Sequence, residues 1–216
     1  MKILITGHSK GIWKYLSSDL EKNHEVFGFS RSNWFDLAKK EDIEKIPNNF
    51  PPFKRGARGD FQKASVDFQE ASWEFLDVLI LNAGVWEFGK FEDISLEKYE
   101  NIINLNLLAN IRILKVLQDF IKKDTKIIFV WSIISKKFMK NASVYQASKF
   151  ALRGFAGGLK SEWKKVFLIN PKIVDTDFHK DKIELWNKYP ETKLEDILKV
   201  VKDIISGEEK RFEIDL

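Results

Sequence analysis

Short apolar runs and longer amphipathic stretches take turns along this chain of 216 residues. The short runs read as strands at 2–6, 25–30, 78–81, 126–131, 166–169 and 212–215, with a further brief one at 34–36. Between them apolar residues return every three or four positions, the spacing that lines one face of a helix. Helices are expected over 11–22, 40–46, 96–122, 143–164 and 194–206. Ser95 and Thr192 stand where N-capping side chains belong. Strands that alternate with helices imply an α/β fold, a predominantly parallel sheet of about seven strands with helices on both faces.

The pattern fails over 47–61, where three prolines and two glycines break any regular element and an irregular insertion is expected. Arg55 and Arg58 within it could cover a phosphate or could belong to a mobile insertion. Its Arg-Gly-Asp tripeptide is treated as chance. A short helix is expected within 62–75. No shift in composition divides the chain, so 1–216 reads as a single domain with a sizeable core.

Composition narrows the chemistry. The chain has no cysteine, which excludes disulfides, thiolate zinc sites and a thiol nucleophile. The three histidines, His8, His24 and His179, lack metal-ligand spacing, and no metal is expected. A net charge of +4 is spread over interspersed acids and bases. Pairs such as Lys122-Lys123, Lys136-Lys137 and Lys164-Lys165 fall near element ends and read as solvated lysines, not a nucleic-acid patch. No apolar run approaches the roughly 18 residues of a membrane span, and nothing resembles a signal peptide. A cytoplasmic protein is expected, with neither membrane nor nucleic acid as partner.

Two features carry candidate chemistry. Tyr145 and Lys149 lie four residues apart on an expected helix and therefore share a face, thirteen residues beyond Ser132 at the end of an apolar run. An ammonium one turn from a phenol favours the phenolate, so Lys149 is expected to lower the Tyr145 pKa. The plainer alternative is a surface Tyr and Lys on an amphipathic helix. The second feature is the passage from the first strand through Gly7 and Gly11 into a helix. Such a turn aims backbone N–H groups and a helix N-terminus at a phosphate, although an ordinary strand-to-helix turn looks similar.

Together these residues resemble the short-chain dehydrogenase/reductase family, over nearly the whole chain and in the family's order. The matches are Thr6-Gly7-His-Ser-Lys-Gly11-Ile12, Asn82-Ala83-Gly84, Asn106, Ser132, Tyr145-x-x-x-Lys149 and Pro171-Lys-Ile173-Val-Asp-Thr176. Trp13 replaces the third glycine of the first motif and Lys172 the glycine after Pro171. An indole at 13 is expected to turn outward or to force local rearrangement. The resemblance implies a Rossmann fold and a homodimer or homotetramer acting on a small molecule. In it Tyr145 donates the proton, Ser132 holds the carbonyl oxygen, and Lys149 tunes Tyr145 and bonds the nicotinamide ribose. Asn106 anchors a water that relays protons to Lys149, with Asn104 and Asn110 as nearby competitors for that place.

The same resemblance assigns cofactor contacts to Thr6, Gly7, Ser9, Lys10, Gly11, Ile12, Asp36, Leu37, Asn82, Ala83, Gly84, Tyr145, Lys149, Pro171, Ile173 and Thr176. Asp36 would contact the adenine or cap the next helix, and the two are compatible. At the end of the second strand the sequence reads Ser30-Arg31-Ser32, with no carboxylate to bond a ribose 2′-hydroxyl. Arg31 can fork onto a 2′-phosphate, with Lys10 and Ser30 beside it, so NADP(H) is expected over NAD(H). The segments 85–93, 133–141 and 177–190 would shape the substrate site with Trp86, Phe88, Phe138, Met139, Phe178, Trp186 and Tyr189, an apolar set. The leading expectation is a carbonyl reductase or alcohol dehydrogenase. The alternative is a non-catalytic NADP(H)-binding regulator, should Trp13 fill the nicotinamide cleft.

Overall fold

The computed structural model describes residues 1–7, 11–31, 35–47, 75–162, 165–174 and 191–216. The insertion and the helix expected after it, from 48 to 74, lie outside the described residues, as does 175–190. Six strands form one sheet: β1 Lys2–Thr6, β2 Glu25–Phe29, β3 Leu76–Leu81, β4 Ile121–Val130, β5 Val166–Asn170 and β6 Glu213–Asp215. Their order is β2-β1-β3-β4-β5-β6 and every pairing is parallel. The chain winds outward from β1 to β2, then returns to place β3 on the other side of β1. Open sheets bind ligands at the carboxyl ends of the strands where the order reverses in this way.

Alternation along the strands feeds two cores. Ile3, Ile5, Val78, Ile80, Ile128, Val130 and Ile169 face helices α1 (Ile12–Leu20) and α6 (Leu194–Ser206). Leu4, Leu79, Leu81, Phe129 and Leu168 face the opposite layer, with Ile113, Leu117, Leu152 and Ala156. Burying both faces of a parallel sheet requires such near-continuous apolar strands.

Four expectations need correction. The sheet has six strands among the described residues, not seven. Phe35 and Asp36 are not strand, and Phe35 is a buried loop residue that packs edge-on against Phe29 at 4.6 Å; Trp34 lies outside the described residues. The long helix expected over 96–122 is three pieces: α3 Leu96–Ile103, a π-helical turn Asn104–Leu108, and α4 Ala109–Val116. Its expected tail is a short 3-10 turn, Gln118–Phe120, that runs into β4 at Ile121, and Thr125 bonds across an irregularity in that strand. The Thr125 hydroxyl accepts from the Lys122 N–H (2.9 Å) and donates to the Leu76 carbonyl (2.6 Å). Finally, Ser95 does cap α3, accepting from the Lys98 N–H at 3.4 Å, but Thr192 does not cap α6. Its hydroxyl instead accepts from the Lys172 N–H at 3.0 Å, pinning the chain beyond β5.

α5, Ser143–Glu162, carries the candidate pair. Arg153 forks onto Glu213 of β6 (2.8 and 3.0 Å), and Lys136 reaches Asp215 (2.7 Å), so the last strand is tied to this helix and to the turn after β4.

Candidate active site

The site assembles where β1, β3 and β4 end. Thr6 is fully buried, and its hydroxyl accepts from the N–H groups of Asn82 (3.0 Å) and Ala83 (3.2 Å). One side chain thus locks the turn after β1 to the turn after β3. Gly7 has φ 73°, and a Cβ there would lie 3.1 Å from the Ala83 Cα, so the close approach of the two turns needs glycine. Gly11 starts α1 at φ 62°, and no side chain among the described residues caps the helix. Its first N–H groups therefore lack the usual side-chain acceptor.

Trp13 does not turn outward and does not enter a cleft. It is 0% exposed, packed with Leu16 and Leu20 of α1 against strand residues of the α1–α6 layer. Its indole N–H has no partner among the described residues.

On the other layer, Asn106 organises the approach to α5. Its Oδ1 accepts from the Val85 N–H (2.8 Å), while its Nδ2 donates to the Val85 carbonyl (2.9 Å) and to the Ser148 hydroxyl (3.0 Å). Ser148 in turn donates to the Tyr145 carbonyl at 2.6 Å. A Cβ on Gly84 would meet Asn106 Oδ1 at 3.2 Å, which accounts for the glycine of Asn82-Ala-Gly84. The main-chain carbonyl of Asn106, within the π-helical turn, accepts from Asn110 Nδ2 (2.8 Å). Asn106 is thus placed as a strut between the loop after β3 and the helix of Tyr145. Ser148, one residue before Lys149, is the buried middle of that strut. A serine on an expected helix gives no sign in the sequence of what it faces, so nothing there singles Ser148 out.

Ser132 follows β4 with an extended backbone, and its Oγ accepts from the Ile134 N–H at 3.4 Å. Its side chain lies beside the Tyr145 phenol and favours the phenolate. Tyr145 and Lys149 are 9% and 7% exposed, so desolvation governs both. Burial pushes the Tyr145 phenol above its ordinary range, opposed by the nearby Ser132 hydroxyl, and pulls Lys149 down to about 7. The expected lowering of the phenol by Lys149 is therefore overruled by burial, which favours the neutral form of each. The Lys149 Nζ lies over the Tyr145 ring, 5.2 Å from its centroid, and over the Trp131 ring at 3.8 Å.

The remaining expected contacts divide. Ile12 and Ile173 are partly buried and Pro171 is buried along the same edge. Ser30 is buried at the end of β2 and Arg31 is exposed beside it. The Asp36 carboxylate accepts from the Ala38 N–H (3.1 Å) and its own N–H donates to Asp42 (3.0 Å), so it serves the turn before α2, Lys40–Glu44. Leu37 is in the core. Ser9, Lys10 and Thr176 lie outside the described residues. Of the apolar substrate-side set, Trp86, Phe88 and Met139 pack around Ile134, Ala142 and Tyr145. Phe138 instead is 91% exposed and stacks on Phe150. Phe178, Trp186 and Tyr189 lie outside the described residues. Among the described residues no group of His, Asp or Glu is arranged to hold a metal, and no helix is long and apolar enough to cross a membrane.

Residues 1–185 match the family model described as short chain dehydrogenase. The chain belongs to that family. This short-chain dehydrogenase is 29% identical over 181 residues to an uncharacterized oxidoreductase of Methylorubrum extorquens, covering 81% of this chain and 73% of that protein. It is 28% identical over 193 residues to human retinol dehydrogenase 8, covering 82% of this chain and 60% of that longer protein. In fold it resembles a short chain dehydrogenase from Burkholderia cenocepacia solved in complex with NADP, with a TM-score of 0.78 at 18% identity over 100% of this chain and 95% of that one.

Membership makes the protein an oxidoreductase that uses a nicotinamide cofactor on a small molecule. Two observations fit such a cofactor. The first turn of α1 has N–H groups that no side chain among the described residues caps, suited to a pyrophosphate. The Lys149 ammonium is buried with no hydrogen-bond acceptor among the described residues, suited to ribose hydroxyls.

Proposed function

We propose that this short-chain dehydrogenase interconverts a carbonyl and a secondary or primary alcohol with NADP(H), using Tyr145 as general acid/base. The observation that carries this reading is the cluster of half-buried Ser132 with buried Tyr145 and Lys149 at the carboxyl ends of the strands. A bound NADPH supplies the hydride that reduces the carbonyl carbon. The oxygen of the substrate then needs a proton, and a neutral phenol is the form that can give one. Burial keeps Tyr145 in that form at neutral pH. Ser132, whose side chain lies beside the phenol, holds the substrate oxygen there. Once the proton leaves, the charge preference reverses, and the Lys149 ammonium above the ring stabilises the phenolate. Asn106 and Ser148 fix the turn of α5 from which Tyr145 springs.

The preference for NADP(H) rests on Ser30-Arg31 at the end of β2. Arg31 is exposed there and makes no ion pair among the described residues. A guanidinium in that place suits a 2′-phosphate better than a bare 2′-hydroxyl. Trp86, Phe88 and Met139 around Tyr145 favour a compact apolar carbonyl compound over a highly charged one. The alternative of a non-catalytic NADP(H)-binding regulator rested on Trp13, Lys172 and the insertion over 47–61; it loses the first of these supports, because Trp13 is packed in the α1–α6 layer.

The test is NADPH oxidation across a panel of aldehydes and ketones, with NADPH binding measured in parallel. Wild-type protein turns over at least one apolar carbonyl. Tyr145→Phe loses about 10³-fold in turnover while its NADPH affinity is nearly unchanged. Equal turnover in that variant rules out Tyr145 as the proton donor. Arg31→Ala weakens NADPH binding and leaves NADH binding unaltered; tighter wild-type binding of NADH than of NADPH refutes the cofactor preference.

A further inference from the structure

Lys149 presents a problem that its own helix does not solve. Its ammonium is buried, yet no carboxylate among the described residues pairs with it. Along α5, Arg153 is the next cation and is turned to Glu213. In the loop after β3, Glu87 is paired with Lys98 at 3.3 Å. The end of β3 contributes Asn82, and the π-helical turn and α4 contribute Asn106 and Asn110, all uncharged. From the end of β4 come Ser132 and Trp131.

Trp131 meets Lys149 at both ends. The face of its ring lies under the Nζ, 3.8 Å from centroid to nitrogen, a close cation–π geometry. Its indole Nε1 donates to the Lys149 carbonyl at 2.8 Å. The ring is itself only 6% exposed, so little water competes for the charge. We propose that Trp131 is a positioning residue for Lys149: its ring face carries the buried ammonium, and its N–H holds the helix turn that presents it. The consequence for turnover rests on the reading of Tyr145 and Lys149 as the acid–base pair, but the placement of the charge does not.

A ring face stabilises the ammonium and not the neutral amine, so removing it lowers the Lys149 pKa still further from its value of about 7. The measurement is an NMR titration of lysine side chains in cofactor-free protein labelled with ¹³C and ¹⁵N at lysine, with Lys149→Met to assign the signal. Trp131→Phe keeps a ring face and shifts the titration by a small fraction of a unit. Trp131→Leu removes it and lowers the midpoint by about one pH unit, a tenfold smaller ratio of charged to neutral Lys149 at any given pH. Should the leucine variant not fold, Trp131→Met has an unbranched apolar side chain, also lacks a ring, and supports the same comparison. An unchanged Lys149 midpoint in the ring-less variant overturns the proposal, whatever happens to its thermal stability. Because the titration uses no cofactor or substrate, a shift without any carbonyl turnover would refute the proposed reaction and leave the role of Trp131 standing.

Discussion

Trp13 and Trp131 are nearly equally buried, on opposite faces of one sheet, and the fold uses them differently. Trp13 fills the space between α1 and the sheet with apolar surface, and its indole N–H finds no partner among the described residues. Trp131 uses its N–H on a helix carbonyl and its ring face on an ammonium. One side of the sheet is held by packing alone at this position. The other combines packing with the electrostatics of the candidate site. Burial by itself therefore says little about whether a large aromatic side chain serves the core or the chemistry; what its polar edge and its ring face touch decides.

The difference can be broken first at Trp13. Trp13→Ala empties a fully buried indole volume and lowers stability by about 3–5 kcal/mol in denaturant unfolding, the largest effect expected here. A loss below about 1 kcal/mol would mean that α1 closes onto the sheet without it.

On the opposite face the opposite sign is expected. Lys149→Met replaces a buried ammonium with an apolar chain and raises stability at pH 7 by about 1–3 kcal/mol. The folded protein holds Lys149 at about 7, below the ordinary lysine value of 10.5. Between those values the unfolded chain binds more protons than the folded one, so wild-type stability rises with pH across that window. The cost of burying the charge is full below about pH 7 and gone above about 10.5. The advantage of Lys149→Met therefore shrinks steadily from pH 7 to 10.5 in paired melts, and a constant difference would show that Lys149 is not buried as a charge.

The smallest effect sharpens the comparison most. Trp13→Phe loses packing but removes an unpaired buried donor, and the two partly cancel to within about 1.5 kcal/mol. Trp131→Phe breaks a satisfied bond to Lys149 and leaves a carbonyl without its donor, so it destabilises more than Trp13→Phe does. Equal losses would erase the distinction between the two indoles.

Much of this was legible in the chain itself. Apolar runs of strand length, separated by helical periodicity, determined the parallel α/β sheet and the order of its layers. They did so because a strand buried on both faces must be apolar throughout. The spacing of Ser132, Tyr145 and Lys149 placed three groups at one strand end and one helix face, since a four-residue step in a helix is one turn. Glycines 7, 11 and 84 marked the turns. What the sequence could not show depends on contacts between distant residues. Asn106 reads as a polar helix residue until Val85 and Ser148 are seen on its amide. Thr192 reads as a cap until Lys172 takes its hydroxyl. Trp13 reads as an obstacle in a glycine motif, and only the packing of α1 and α6 onto the sheet shows that the core takes it. Above all, the sequence placed a lysine beside a tyrosine and so predicted a lowered phenol. The tertiary structure closed both away from water, and desolvation, which no spacing reveals, reversed the sign.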